Sequence, residues 1–85
     1  MYRWEFDGPA RLEAGSLPTH VRRELYAFME AVVIVDPMDY RRYPGELDKP
    51  MRSLPFGSHD EGLVTFLVYP PDDLVLVVQI QWLGD

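Results

Sequence analysis

The hydrophobic pattern is strongest over residues 63–82, LVTFLVYPPDDLVLVVQIQW, where two apolar runs flank the sequence PPDD. Both runs are rich in β-branched and aromatic residues, and the prolines and aspartates between them break any helix. The pattern therefore predicts a β-hairpin with its bend at residues 70–73. In the second run every even position is apolar, whereas Gln79 and Gln81 make the odd side polar, so we expect the even positions of both strands to face the core.

The length of the bend tests this core assignment. Opposed residues of an antiparallel pair lie on the same face of the sheet. Even positions therefore oppose even positions only across a loop of three or five residues, or with the help of a β-bulge. A direct pairing of Tyr69 with Leu74, without a bulge, would contradict the assignment.

Three segments precede the hairpin and have their own periodicity. Residues 2–6, YRWEF, alternate aromatic and charged side chains, which predicts a half-buried strand. Residues 9–14 allow a short helix closed by Gly15, and residues 16–19, SLPT, are typical of the entry into a second helix. Apolar side chains at helical spacing then predict an amphipathic helix that covers the hairpin: Val21, Leu25, Phe28, Met29 and Val32.

The middle of the chain is rich in proline. Asp36-Pro37 ends the long helix, since the residue before a proline avoids the helical conformation. Residues 36–50 form a long loop, and residues 51–55 are a candidate edge strand because Pro55 cannot donate to a ladder. Residues 56–62 connect this strand to the hairpin. The fold class is α+β, with a small, mostly antiparallel four-stranded sheet and two N-terminal helices on one face (β-α-α-β-β-β).

Composition narrows the class of protein. The 85 residues suffice for one domain over residues 1–85, and the absence of cysteine excludes disulfides and thiolate metal sites and fits a cytoplasmic protein. No run approaches the roughly 20 apolar residues of a membrane span, and no cofactor or metal motif occurs. The net charge of −6 disfavours coating of nucleic acid through charge alone.

Several stretches, taken in order, are similar to a known family. They are YRWEF at residues 2–6, LPTHVRREL at 17–25, Asp36-Pro37, MRSL at 51–54, and the two runs at 63–68 and 74–80. In this order the chain resembles, over nearly its whole length, the RelE/ParE toxin superfamily of bacterial toxin–antitoxin modules. The resemblance implies a single RelE-like domain and a cognate antitoxin as partner.

The resemblance also implies a chemistry. In ribosome-dependent members, the sheet face without helices cuts messenger RNA in the absence of a metal. A 2′-hydroxyl is deprotonated and attacks the adjacent phosphate, cations stabilise the added charge, and an acid protonates the leaving oxygen. The ribosome and its message are then the further partners, whereas relatives that target DNA gyrase are not nucleases.

Candidate catalytic residues follow from this comparison. Arg52 on the second strand, which we expect to be exposed, and Lys49 just before it are the candidate cations. His59 is the candidate for proton transfer because imidazole exchanges protons near neutral pH. A histidine in a turn is more often simply exposed.

Candidate RNA-binding residues lie in the long loop: Arg41, Arg42, Tyr40 and Tyr43. The arginines can contact phosphates and the tyrosines can stack on bases. The ordinary structural alternative is that the arginines neutralise neighbouring acids and that the tyrosines fix the loop to the core.

Two departures from the family pattern bear on function. Nuclease members often carry an arginine at the start of the third strand and a basic or tyrosine side chain after the last; this chain has Leu63 and Leu83-Gly84-Asp85. We therefore favour a toxin-superfamily protein of a toxin–antitoxin type module that acts by protein binding, with nuclease chemistry weakened or lost. The alternatives are a ribosome-dependent, metal-independent mRNA endoribonuclease and an unrelated small α+β binding domain, so the sequence leaves enzymatic activity undecided.

Overall fold

Within the part of the chain that the structure describes, four strands and two α-helices form in the order that the hydrophobic pattern predicts. A computed structural model of the chain describes residues 2–35, 37 and 51–84. The elements are β1 (Arg3–Phe6), α1 (Gly8–Gly15), α2 (Thr19–Phe28) with a π-helical turn (Met29–Val33), β2 (Met51–Phe56), β3 (Gly62–Tyr69) and β4 (Leu74–Trp82).

The strands form one sheet in the order β1-β4-β3-β2. β1 runs parallel to β4, while the β2–β3 and β3–β4 pairs are antiparallel. Both helices bury side chains in the same core as the strands, which confirms the predicted α+β class with a mostly antiparallel sheet. β2 is an edge strand, as Pro55 indicates.

Local sequence explains the two helices. The Asp7 carboxylate accepts a hydrogen bond from the Ala10 amide at 3.0 Å and so caps the start of α1. Val21 and Leu25 of α2 and Met29 of the π-helical turn are fully buried at a spacing of four residues. At the end of this wider turn Val33 is also fully buried, whereas Val32 is only half-buried, so the predicted apolar face is displaced by one residue at its end.

The β3–β4 hairpin contradicts half of the core assignment. Its bend has the four residues 70–73, and Tyr69 pairs directly with Leu74. Near the bend, even positions of β3 therefore oppose odd positions of β4, so that Val75 and Val77 are buried while Leu74 and Leu76 face the other side. The even positions of β3 are buried, as expected.

Further along the hairpin, a β-bulge on β4 brings its even positions back to the core side, as expected. Phe66 pairs with Val77 but the preceding Thr65 pairs with Gln79, so Val78 is the extra residue on β4. Beyond it Val64 opposes Ile80, and both are buried. The expectation that even positions of β4 face the core is thus wrong before the bulge and correct at Ile80.

The end of β2 differs from the prediction at Phe56. We expect this residue to begin a polar connection, but it closes the strand and is buried in the core. Its ring packs over Gly62, where an added Cβ would lie 2.5 Å from ring atoms. The missing side chain at Gly62 therefore makes room for Phe56 at the point where the two strands meet.

Candidate functional site

The strand pairing divides the sheet into two chemically different faces. The covered face carries the buried side chains that pack against the helices. The face opposite is named the open face here, because paired residues share a side of the sheet. Its side chains are Arg3 and Glu5 of β1, Leu74, Leu76, Gln79 and Gln81 of β4, Leu63, Thr65, Leu67 and Tyr69 of β3, and Met51, Ser53 and Pro55 of β2.

Near the β3–β4 bend, the open face is apolar on β2, β3 and β4, and the paired charges of Arg3 and Glu5 border it on β1. Leu76 opposes Leu67, which in turn opposes Met51, while Leu74 opposes Tyr69 in the next row. These five residues form the apolar patch. Met51 is 52% exposed and Tyr69 is 41% exposed, and the three leucines are half-buried. The patch is therefore an apolar surface in contact with solvent rather than a second core.

The other half of the open face is polar but uncharged. The hydroxyls of Ser53 and Thr65 lie 2.9 Å apart in a cross-strand hydrogen bond. Gln79 pairs with Thr65, and Gln81 follows on the same side beside Leu63. This half offers hydroxyl and amide groups for hydrogen bonding but no group that could neutralise a phosphate.

Arg3 is the cation of the open face within residues 2–35 and 51–84. Its Nε lies 3.3 Å from a carboxylate oxygen of Glu5, and its Nη1 donates to the Asp72 carbonyl at 2.8 Å. The side chain thus ties the edge of β1 to the bend of the hairpin. A positive charge already paired with a carboxylate is poorly suited to stabilise phosphoryl charge.

Arg52 lies on the covered face, which corrects the expectation that it is exposed. It pairs with the buried Phe66 and is only 6% exposed. Its Nη1 donates to the Met51 carbonyl at 3.0 Å. The physical reason is the period of two along β2, which puts Arg52 on the same side as Leu54 and Phe56.

His59 lies in the loop between β2 and β3 and is exposed. Its backbone N–H donates to Oε1 of Glu61 at 2.8 Å, and its Nδ1 lies 3.8 Å from Oε2. The pKa of Glu61 is lowered, first by the hydrogen bond from its own backbone N–H and then by that of His59. These contacts organise the loop around the Glu61 carboxylate.

The structure does not bring the two described catalytic candidates, Arg52 and His59, together. Arg52 precedes the end of β2 by four residues, or roughly 13 Å of extended chain, and points to the covered face, while His59 lies beyond that end. The other candidates lie outside the described residues: Lys49, Arg41, Arg42, Tyr40 and Tyr43. Their catalytic and RNA-binding roles stay predictions.

Two further kinds of site are not found in the part of the chain that the structure describes. No group of three or more histidine and acidic side chains there could hold a metal ion. None of the helices there is long and apolar enough to cross a membrane.

The apolar patch is a candidate interaction surface that sequence reasoning missed. Both hairpin strands carry apolar side chains on both sides, as at Leu63 and Leu67 of β3. A strand that is apolar on both sides is either buried on both faces of the sheet, or buried on one face and available for docking on the other. Without the position of the bulge, the sequence could not assign Leu74 and Leu76 to the open face.

Solved structures with this topology decide the fold. Isolated E. coli RelE toxin superposes with a TM-score of 0.81 at 16% identity, over 100% of this chain and 87% of that chain. A chain of the intact E. coli RelBE toxin–antitoxin complex gives 0.79 at 18% identity, over 100% of both chains. The chain has the RelE fold. An archaeal RelE–RelB complex from Pyrococcus horikoshii shares it, with a TM-score of 0.66 at 15% identity over 98% of this chain and 96% of that one.

The likeness to RelE is structural rather than sequential. No protein-family model matches the sequence, and no curated protein matches it significantly. At 15–18% identity in these comparisons, a RelE fold can carry very different surface chemistry. The function therefore has to be argued from the side chains on the faces of this chain's sheet.

Proposed function

We propose that this chain is a RelE-like protein of a toxin–antitoxin type module that acts by binding another protein, with nuclease chemistry weakened or lost. The observation that carries the proposal is the charge of the open face. Cleavage of RNA without a metal needs several cations around the scissile phosphate. Within the described residues, that face offers Arg3 alone, which is paired with Glu5.

The position of Arg52 supports the same conclusion. Its guanidinium lies on the covered face, where it donates to a backbone carbonyl of its own strand. A substrate on the open face would be separated from it by the sheet. Arg52 would have to leave its buried position to reach a phosphate, and this would expose the core around Phe66.

The apolar patch supports protein binding. An exposed apolar surface bordered by polar groups is typical of an interaction site in a soluble domain. Met51 and Tyr69 are long, adaptable or amphipathic side chains of the kind enriched at interfaces. RelE is bound to RelB in the complexes from E. coli and P. horikoshii, and a RelB-like antitoxin is the partner that we propose for this chain.

Co-purification tests the partner. The reading frame next to the gene for this chain is co-expressed with a tagged version of the chain, and we expect a stable complex. Leu67→Glu in the apolar patch should abolish that complex, because it would bury a charge at the interface. Gln79→Glu, which adds the same charge on the polar half of the open face, is the matched control and should bind.

Mapping of 5′ ends of cellular messages after induction tests the loss of nuclease chemistry. We expect no new, codon-positioned ends with the unaltered protein. Induced cuts would overturn the proposal and favour the ribosome-dependent endoribonuclease. If the complex still forms with Leu67→Glu, the apolar patch is not part of the interface, although the partner itself is confirmed.

A further inference from the structure

The outer edge of β1 is a second surface with its own chemistry. β1 is the last strand of the sheet on that side, and no described strand pairs with its outer edge. The Arg3 amide donates to the Asp73 carbonyl, and the Asp7 amide donates to the Val77 carbonyl. Odd-numbered amides thus point toward β4, so the backbone N–H and C=O groups of Trp4 and Phe6 point outward.

A cavity of about 450 Å³ runs along this edge between the strand and the two helices. Its lining includes Trp4 and Phe6, whose side chains face the helices, as well as Glu5, whose side chain is on the open face. A cavity lined from both sides of a strand lies at the strand's edge. It is therefore open to another segment of polypeptide laid beside β1.

Aromatic rings form one wall of the cavity. The rings of Trp4 and Tyr26 are in edge-to-face contact with centroids 5.3 Å apart, and Phe6 meets Trp4 in the same way at 5.1 Å. The indole N–H of Trp4 donates to Glu30 at 3.0 Å, which fixes the ring. These contacts hold the Trp4 ring in one orientation, so a ligand does not have to order it.

Two arginines give the cavity its charge. Arg11 of α1 is exposed, and no ion pair within the described residues engages it. Arg22 of α2 makes only long hydrogen bonds, 3.3 and 3.4 Å, to the carbonyls of Leu17 and Gly15, and its buried Nε has no hydrogen-bond partner in the described part of the chain. The one carboxylate of the lining, Glu5, is already paired with Arg3.

We propose that the outer edge of β1 is a docking site for an extended, acidic segment of a partner polypeptide, which adds a fifth strand to the sheet. The outward backbone groups of Trp4 and Phe6 supply the ladder, as in other strand additions. Carboxylates on the helix-facing side of the added strand meet Arg11 and Arg22. This site is distinct from the open face and does not depend on the function proposed for that face.

The positive charge of Arg11 and Arg22 is the reason for proposing an acidic segment. The chain carries a net charge of −6, whereas two guanidiniums and one carboxylate, already paired with Arg3, line the cavity. The Glu30 carboxylate accepts from the Trp4 indole but is not part of the lining, so the lining attracts acidic groups. A basic segment would meet repulsion from both arginines. A purely apolar segment would leave Arg11 and Arg22 desolvated without a partner, which costs binding energy.

The probe for the test is a blocked hexapeptide that alternates valine and glutamate, titrated to millimolar concentration into the isotopically labelled chain. We expect NMR shift changes at Trp4, Phe6 and Tyr26, and hydrogen exchange of the Trp4 and Phe6 amides slowed at least about tenfold. The same peptide with lysine for glutamate, or with every backbone amide methylated, should produce neither effect.

Arg11→Glu is the test variant and Arg23→Glu its control, since Arg23 is exposed on α2 and does not line the cavity. We expect Arg11→Glu to weaken binding of the valine–glutamate peptide by about fivefold or more. Arg11→Gln, a neutral change on the exposed side of α1, should have an intermediate effect. Equal effects of the Arg11 and Arg23 variants, binding of the lysine peptide, or shifts confined to the open face or β2 would each overturn the proposal, as would the absence of any shift.

Discussion

Glu13 of α1 protects an edge of the sheet that β1 leaves uncovered. β1 ends at Phe6, which pairs with Val77, so beyond this point no described strand pairs with β4 on that side. The Ile80 amide lies in this stretch and donates to Oε1 of Glu13 at 3.0 Å. We predict that Glu13→Ala destabilises the fold by leaving this buried donor unsatisfied.

The magnitude follows from the type of bond. A hydrogen bond to a charged group contributes about 1.5–3 kcal/mol, and the gain of a few tenths from alanine's helix propensity offsets little of it. For a chain of this size the urea m-value is near 1 kcal/mol/M, so the unfolding midpoint should fall by about 1–3 M. Glu13→Gln keeps a neutral acceptor and should lose roughly half as much.

Urea unfolding followed by far-UV circular dichroism measures this change, and hydrogen exchange locates it. The Ile80 amide should exchange faster in Glu13→Ala, whereas amides of the β2–β3 ladder should change only with global stability. Glu24→Ala, the same substitution on α2, is the control because no hydrogen bond of the Glu24 side chain occurs in the described part of the chain. If Glu13→Ala is as stable as Glu24→Ala, or if exchange at Ile80 is unchanged, the role assigned to Glu13 is refuted.

Three other substitutions probe the core, the covered face and the β2–β3 loop. Leu25→Ala should cost about 2–5 kcal/mol in urea unfolding, because Leu25 is fully buried. Arg52→Ala should cost about 1–3 kcal/mol in the same assay, since the buried guanidinium donates to the Met51 carbonyl. The pKa of Glu61 is lowered in the folded state, so its stabilising effect is complete above its ordinary pKa of 4.5 and is lost as the pH falls through the folded pKa. Glu61→Gln should therefore make acid unfolding less steep.

The strands and helices with a strong hydrophobic periodicity could be predicted from the sequence. Which side of β4 faces the core could not. The alternation of YRWEF at residues 2–6 and the apolar face of α2 gave the correct strand and helix. The prediction that the even positions of β4 face the core was wrong near the bend, because one extra residue at Val78 exchanges the two faces of the strand. Nothing in a uniformly apolar run marks which residue forms the bulge. The same uniformity concealed the apolar patch.

The candidate site was less predictable than the fold because it depends on residues from several elements. The cavity beside β1 combines Trp4, Arg11 and Arg22 from a strand and two helices, which only the tertiary structure brings together. No spacing along the chain signals such a group. The exposed position of His59, by contrast, follows from its polar turn and was the ordinary structural interpretation.

The chemistry of the open face follows from the register of β2. Leu54 and Phe56 lie on the same side of this strand as Arg52, and burying each apolar side chain is worth about 1.5–3 kcal/mol. These two residues therefore determine which side faces the core, and Arg52 must follow them. Its aliphatic stem can cover apolar neighbours while its guanidinium reaches the Met51 carbonyl, so the arrangement is tolerated. A shift of register by one residue would bring the cation to the open face but would expose Phe56, which makes core packing the reason that this face lacks the charge of Arg52.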